Sequence, residues 1–192
     1  PVQGVDRGNS VLLEFQAKQN TIDAVVSLLG AFNSAVLTVL NCSPQDAGVL
    51  KRAWFEGAKD GRIILSPRGG EANQHLHAVQ IGLERSKRLA EQYQDVHWVV
   101  FDCNQVALAA RFAAEQQGKQ GAESLGIEAV GHLVAQGRKL DTTGSLTIWM
   151  GAHSDRSAYE DAVIERARFE VDHCCTVHGQ SDGSLVTTKI TE

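Results

Sequence analysis

The chain is poor in residues that interrupt or staple a fold. Three prolines occur in 192 residues, at Pro1, Pro44 and Pro67, so long helices and buried strands fit unbroken after Pro67. Four cysteines, Cys42, Cys103, Cys174 and Cys175, are too few and too irregularly placed for a disulfide framework. They point to a reducing, intracellular compartment, cytoplasmic or nuclear. The longest apolar stretch, Val25 to Leu40, is interrupted by Ser27, Gly30, Asn33, Ser34 and Thr38, so no membrane span and no membrane partner are expected. Basic charge is not in excess either: 18 Lys and Arg stand against 23 Asp and Glu, for a net charge of −5. That excludes coating of nucleic acid by bulk charge. The opening lacks Met, and Gln3, Asp6 and Arg7 precede the first apolar residues, which reads as a processed protein or a piece of a longer one.

What is present, 43% hydrophobic and 21% charged residues, is the composition of one globular domain able to bury its own core. The periodicity predicts a strand or helix start at Val11 to Phe15 and a helix over Thr21 to Phe32. A buried strand over Ala35 to Leu40 stops at Asn41-Cys42-Ser43-Pro44. Val49 to Phe55 alternates as a second strand, and Lys59-Asp60-Gly61 signals a tight turn into a third, Arg62 to Ser66. Three strands in succession imply an antiparallel meander. Beyond it come a long helix over Glu71 to Gln94, a strand at Val96 to Phe101 ending in Asp102, and helices at Gln105 to Gln116 and Ile127 to Leu140. A strand at Leu146 to Met150, a helix at Ala158 to Phe169 and a terminal strand at Leu185 to Ile190 complete the pattern.

Two stretches narrow the function: Val99-Val100-Phe101-Asp102-Cys103-Asn104-Gln105, and Leu146-Thr147-Ile148-Trp149-Met150-Gly151-Ala152-His153 followed by Glu160-Asp161. Together with the expected meander they resemble the ribonuclease H family, of the type attached to retroelement reverse transcriptases, over residues 35 to 170. The resemblance implies an α/β domain with a five-stranded mixed sheet flanked by helices, an N-terminal extension with one helix over 1–34, and a C-terminal tail over 171–192. It also implies a site in which Asp102 and Asp161 are catalytic metal ligands and His153 assists proton transfer or product release. Two Mg²⁺ or Mn²⁺ ions there would clamp the attacking water and the leaving oxygen between carboxylates.

Two further family positions depart from that pattern. The family's first Asp falls on Asn41 and its helical Glu on His75, which removes two negative charges and sets an imidazole where Mg²⁺ wants oxygen. Glu71, one helical turn before His75, and Asp155 are the available substitutes. The expectation is a degenerate site without a cofactor, in a module that binds or scaffolds a protein partner or an RNA–DNA hybrid. The alternatives are an active endoribonuclease on hybrids and a repurposed small-molecule enzyme using His75, Asp102 and His153 as acid–base groups.

Plainer roles compete for the same residues. Asp102 suits a helix N-cap, Asp161 suits the positive end of a helix dipole, and His153 suits a hydrogen-bonded loop. His173-Cys174-Cys175 with His178 has zinc-ligand chemistry but no zinc-module spacing, and His75 and His77 do not share a helix face. Lys51, Arg52, Arg62, Arg68, Arg85, Lys87 and Arg88 interleave with Glu56, Asp60, Glu84 and Glu91, as on a solvated mixed-charge surface.

Overall fold

A computed structural model describes residues 5–15, 21–57, 60–92, 94–139, 144–153, 157–179 and 185–190. In chain order the elements are β1 (Ser10–Phe15), α1 (Thr21–Gly30), β2 (Ser34–Cys42), α2 (Pro44–Gly57), β3 (Asp60–Pro67), α3 (Ala72–Glu91) and β4 (Asp95–Phe101). They continue with α4 (Cys103–Gln116), α5 (Ala122–Val134), β5 (Arg138–Lys139), β6 (Ser145–His153), α6 (Ala158–Glu170), β7 (His173–Gly179) and β8 (Leu185–Ile190). All the described strands join one sheet in the order β3-β2-β4-β6-β1-β7-β8, with β5 paired to β6. The body from β3 to β7 is parallel throughout. Antiparallel pairing is confined to β8 on β7 and the two-residue β5 on β6.

A parallel sheet needs helical crossovers, which cover both of its faces, and its strands therefore read as nearly continuous apolar runs. Right-handed crossovers assign the faces. From β1 the chain moves through β2 to β3 at one edge, then turns back through β4 and β6 to β7, so α1 and α2 cover one face and α3 to α6 the other. Two cores result. Val25, Leu29, Leu50 and Trp54 pack with Leu37, Val99 and Trp149 on the first face; Val79, Ala90, Val106, Val130 and Ile164 pack with Val36, Trp98, Val100 and Ile148 on the second. At Gly82, α3 comes so close to the sheet that a Cβ would overlap Thr38 Oγ1 and the Trp98 indole. Those two groups are hydrogen-bonded to each other, Trp98 Nε1 donating to Thr38 Oγ1 at 3.1 Å.

The expected five-stranded sheet with an antiparallel meander is thus overturned. Val49 to Phe55 lies within α2, and β2 pairs with β3 in parallel register, Val36 opposite Arg62 and Leu37 opposite Ile63. The alternation of Lys51 and Ala53 against Arg52 and Trp54 hid a helical spacing: Leu50 and Trp54 are buried four residues apart with Ala47 packed beside them. The helix start is well marked. Ser43 Oγ accepts from the Asp46 N–H at 3.1 Å and donates to the Asp46 carboxylate at 2.6 Å, with Pro44 at the first helical position, where its missing N–H costs nothing. Lys59, in the expected turn, lies outside the described residues. β1, read from the sequence as part of an extension, is an inner strand between β6 and β7, and β7, read as tail, pairs with it.

Candidate functional site

Parallel strands bring their carboxyl ends to one edge of the sheet. Phe15 of β1, Asn41 of β2, Ser66 of β3 and His153 of β6 lie there, with Asp102 just beyond β4. In open α/β sheets the ligand crevice forms at this edge, where neighbouring strands send their connections to opposite faces. Here that happens between β2 and β4 and again between β6 and β1.

Asp102 is 8% exposed and acts as the N-cap of α4, its Oδ1 accepting from the Asn104 N–H at 3.0 Å. Burial pushes its carboxyl up to about 7, against the pull of the Asn104 hydrogen bond and with further help from the Glu160 charge. Near neutral pH the group is therefore about half protonated. The His153 imidazole is held below its ordinary value by burial, partly offset by Glu160. Glu160 thus acts on both residues from the first turn of α6. It belongs to a capping box, accepting at 2.7 Å from the Ser157 N–H.

Three rings close the corner where β1, β4 and β6 end. Phe15 and Phe101 meet edge to face with centroids 5.8 Å apart, and the His153 ring lies 5.4 Å from Phe101 and 6.5 Å from Phe15. Phe15 is 2% exposed. Between them β6 carries Gly151, where any Cβ would run into the Phe101 ring. Only glycine fits that close approach.

The remaining candidates lie on β2, α3 and α6. Asn41 holds a left-handed backbone, φ 52°, beside a register shift in β2, a conformation asparagine tolerates better than most residues. Its Oδ1 accepts from the Gly69 N–H at 3.4 Å, and the Arg68 N–H donates to the Cys42 carbonyl at 3.0 Å, tying β2 to the β3–α3 loop. His75 is buried, its Nδ1 2.7 Å from Ser66 Oγ. Glu71 is the exposed N-cap of α3, its N–H donating to Gln74 Oε1 at 3.2 Å. Asp161 is exposed in the first turn of α6. Asp155 lies outside the described residues. Asn41, His75 and Glu71 therefore belong to the β2–β3 side of the edge, and Asp102 and His153 to its centre.

Among the described residues no three His, Cys, Asp or Glu side chains converge where a cation would be held, so the two-ion chemistry implied by the ribonuclease H resemblance has no donor set there. Nor do the cysteines form a zinc pair. Adjacent residues of a strand point to opposite faces: Cys175 is buried in the core beneath α1 and α2, whereas Cys174 faces Glu14 on the other side. Burial and the hydrogen bond to Glu14 push the Cys174 thiol up to about 12, far from the thiolate a metal takes. The His178 side chain lies outside what is described.

Sequence reasoning missed Phe15, Phe101, Glu160 and Glu14. The two Phe residues each end a run of β-formers, and Glu160 stands three after Ser157, a legible capping signal. Glu14 is 6% exposed and meets Arg168 of α6 through two parallel bonds of 2.7 Å. Nothing local marked it, because its partner is 154 residues away.

One sequence feature bears on the same edge. A turn that cradles phosphates between a first strand and its helix reads G-x-x-x-x-G-K-[ST], with glycines where the backbone meets the phosphates. Between Phe15 and Thr21 this chain has five residues, Gln16-Ala17-Lys18-Gln19-Asn20, and no glycine.

No family model matches the chain, and no curated protein matches it in sequence. Solved structures do match in shape. One is described as a prototypical ATPase from the type III secretion system of pathogenic bacteria, with TM-score 0.73 and 12% identity, covering 90% of this chain and 51% of that one. Another is described as a unique ATP synthase subunit, NeqB, from Nanoarcheaum equitans, with TM-score 0.74 and 10% identity, covering 92% of this chain and 46% of that one. The chain spans about half the length of these two proteins, and at such identities the likeness concerns the fold alone. It overturns the ribonuclease H reading, and with it the reverse-transcriptase and nucleic-acid assignments. The two stretches that suggested that family do lie on neighbouring strands, β4 and β6, but a carboxylate closing one inner strand and a histidine closing the next fit either fold. No described helix is long and apolar enough to cross a membrane.

Proposed function

We propose that the chain is a non-hydrolysing subunit with an ATPase-type fold, which works by assembling with other protein chains rather than by turning over nucleotide. The observation that carries this reading is the packing of Phe15, Phe101 and His153 into the carboxyl-end corner of β1, β4 and β6, where a doubly wound sheet keeps its ligand crevice. Two features support it. The β1–α1 connection lacks the glycines a phosphate cradle uses, and the carboxylate that follows the inner strand is spent on capping α4. One structural neighbour is itself described as an ATP synthase subunit, and the exposed Ile81, Phe112, Leu125 and Phe169 are side chains suited to protein contacts. The test is phosphate release from Mg-ATP by the full chain and by Asp102→Asn. Both stay at the no-protein background; turnover by the full chain that the substitution abolishes overturns the proposal.

A further inference from the structure

β3 is the outermost strand at its end of the sheet and pairs, among the described strands, with β2 alone. The far side of such a strand presents unpaired backbone N–H and C=O groups, the arrangement that accepts an added strand. Leu37, Thr38 and Val39 of β2 are buried, whereas Ile63, Ile64 and Leu65 opposite them are only half-buried. Successive side chains of a strand point to opposite faces. Ile63 and Leu65 pack with the first core and Ile64 with the second, so the exposed Arg62, two residues before Ile64, is on the α3 face.

α3 runs back along this edge, antiparallel to β3. The hydrogen bond between Ser66 and His75 sets its first turns above the end of the strand. From there Arg85 is about 15 Å along the helix and Arg62 about 13 Å back along the strand, so the two come level. Leu76, Val79 and Leu83 of α3 line a cavity with Val106 of α4 and Leu133 of α5. The opposite flank, which carries Ile81 and Arg85 one turn apart, is therefore on the β3 side. Ile81 is 44% exposed. Arg85 is half-buried, its Nε has no hydrogen-bond partner, and no described carboxylate is paired with it. The neighbouring acid, Glu84, lies 4.0 Å from Lys87 instead. Arg7, Arg111, Arg166 and Arg168 each meet a carboxylate of this chain. Buried polar atoms are normally satisfied, and one that is not calls for a partner.

We propose that the β3 edge takes up an extended, acidic segment of a partner protein as an added strand, its backbone bonded to β3 and a carboxylate seated on Arg85 and Arg62. The alternation of β3 sets the pattern of that segment: apolar residues beside Ile63 and Leu65 on one face, acidic residues beside Arg62 on the other. A second copy of this edge would add its own Arg62 and Arg85 to the same face and gather like charge; an acidic partner neutralises it. The surface belongs to the assembling role proposed above and rests on it. Phosphate release from Mg-ATP tests that role, and a peptide titration tests the surface.

The test follows the backbone amide signals of β3 in the full ¹⁵N-labelled chain during titration with a capped peptide of about eight residues, alternating valine and glutamate. The peptide moves the signals of Ile63 to Leu65 saturably, and its valine–lysine counterpart binds at least about tenfold more weakly. Alternate residues of a strand turn their N–H groups to opposite edges. Of two forms N-methylated at the valines or at the glutamates, one therefore keeps its affinity and the other loses at least about tenfold. Arg85→Gln weakens the parent peptide about tenfold, the scale of a hydrogen bond to a charged group. Arg62→Ser, at an exposed position, weakens it about threefold and serves if the Arg85 variant does not fold. The proposal is overturned if the parent peptide gives no saturable shift by about 5 mM, a concentration that reaches millimolar affinities. It is also overturned if the lysine peptide or both methylated forms bind as well as the parent, or if a folded variant binds unchanged.

Discussion

Asp102 shows how one side chain takes its role from its surroundings. The chemistry of a carboxylate closing a buried strand was visible in the sequence, and so was its competing role as a helix cap. The structure shows it buried and capping α4, and burial is something no local pattern reports. In the unfolded chain this carboxyl ionises near 3.8, and in the folded protein near 7. Between those values the folded chain holds more protons, so this group's contribution to stability is greatest in acid, declines as pH rises toward 7, and is level above it. Asp102→Asn keeps a good N-cap and removes that dependence. The difference in unfolding free energy between variant and wild type, from urea titrations at pH 4 and pH 8, should grow toward pH 8 by up to about 4 kcal/mol in favour of Asn. Gly82 makes a complementary case. Alanine is the better helix former by about 1 kcal/mol, yet its Cβ would strike Thr38 and Trp98. Gly82→Ala is expected to lose about 1–2 kcal/mol net, since overpacking costs more than propensity returns, as read from the urea midpoint. The sequence showed Gly82 inside the long helix and not what faced it.

Among the elements, the ones with a long apolar stripe or an unbroken apolar run were legible: α3, β4 and β6 stand within a few residues of where the pattern sets them. α2 was not, because its outward residues happen to alternate with Ala53 and Trp54. β1 was legible as a strand or helix start and β7 only as part of a tail, and their positions depend on partners more than 130 residues away, which periodicity does not encode. The link between β1 and α6 through Glu14 and Arg168 is of the same kind. Taking Arg168 away strips Glu14, 7% exposed in its side chain, of both parallel bonds. Breaking a fully buried pair from one side costs about 3–5 kcal/mol. Arg168 is 38% exposed, so solvent screens part of its share, and Arg168→Met is expected to lose about 2 kcal/mol by chemical denaturation. A Glu14→Leu/Arg168→Met double variant should recover much of that loss, because the buried carboxylate goes with its partner.

For the whole molecule, direction is what separates the ribonuclease H expectation from the observed fold. Composition, element lengths and the apolar runs suit either, and three successive strands were taken where the chain makes strand, helix and strand. Once α2 is a helix, every neighbouring pair from β3 to β7 becomes parallel and all the carboxyl ends meet at one edge. The candidate residues Asp102 and His153 then share that edge with two Phe rings and with the Glu160 charge. The account's central claim is that this edge does not bind a nucleotide. Calorimetric titration of the full chain with Mg-ATP measures this directly. No saturable heat up to about 1 mM is the predicted result; micromolar binding that Lys18→Ala or Asp102→Asn abolishes would contradict it.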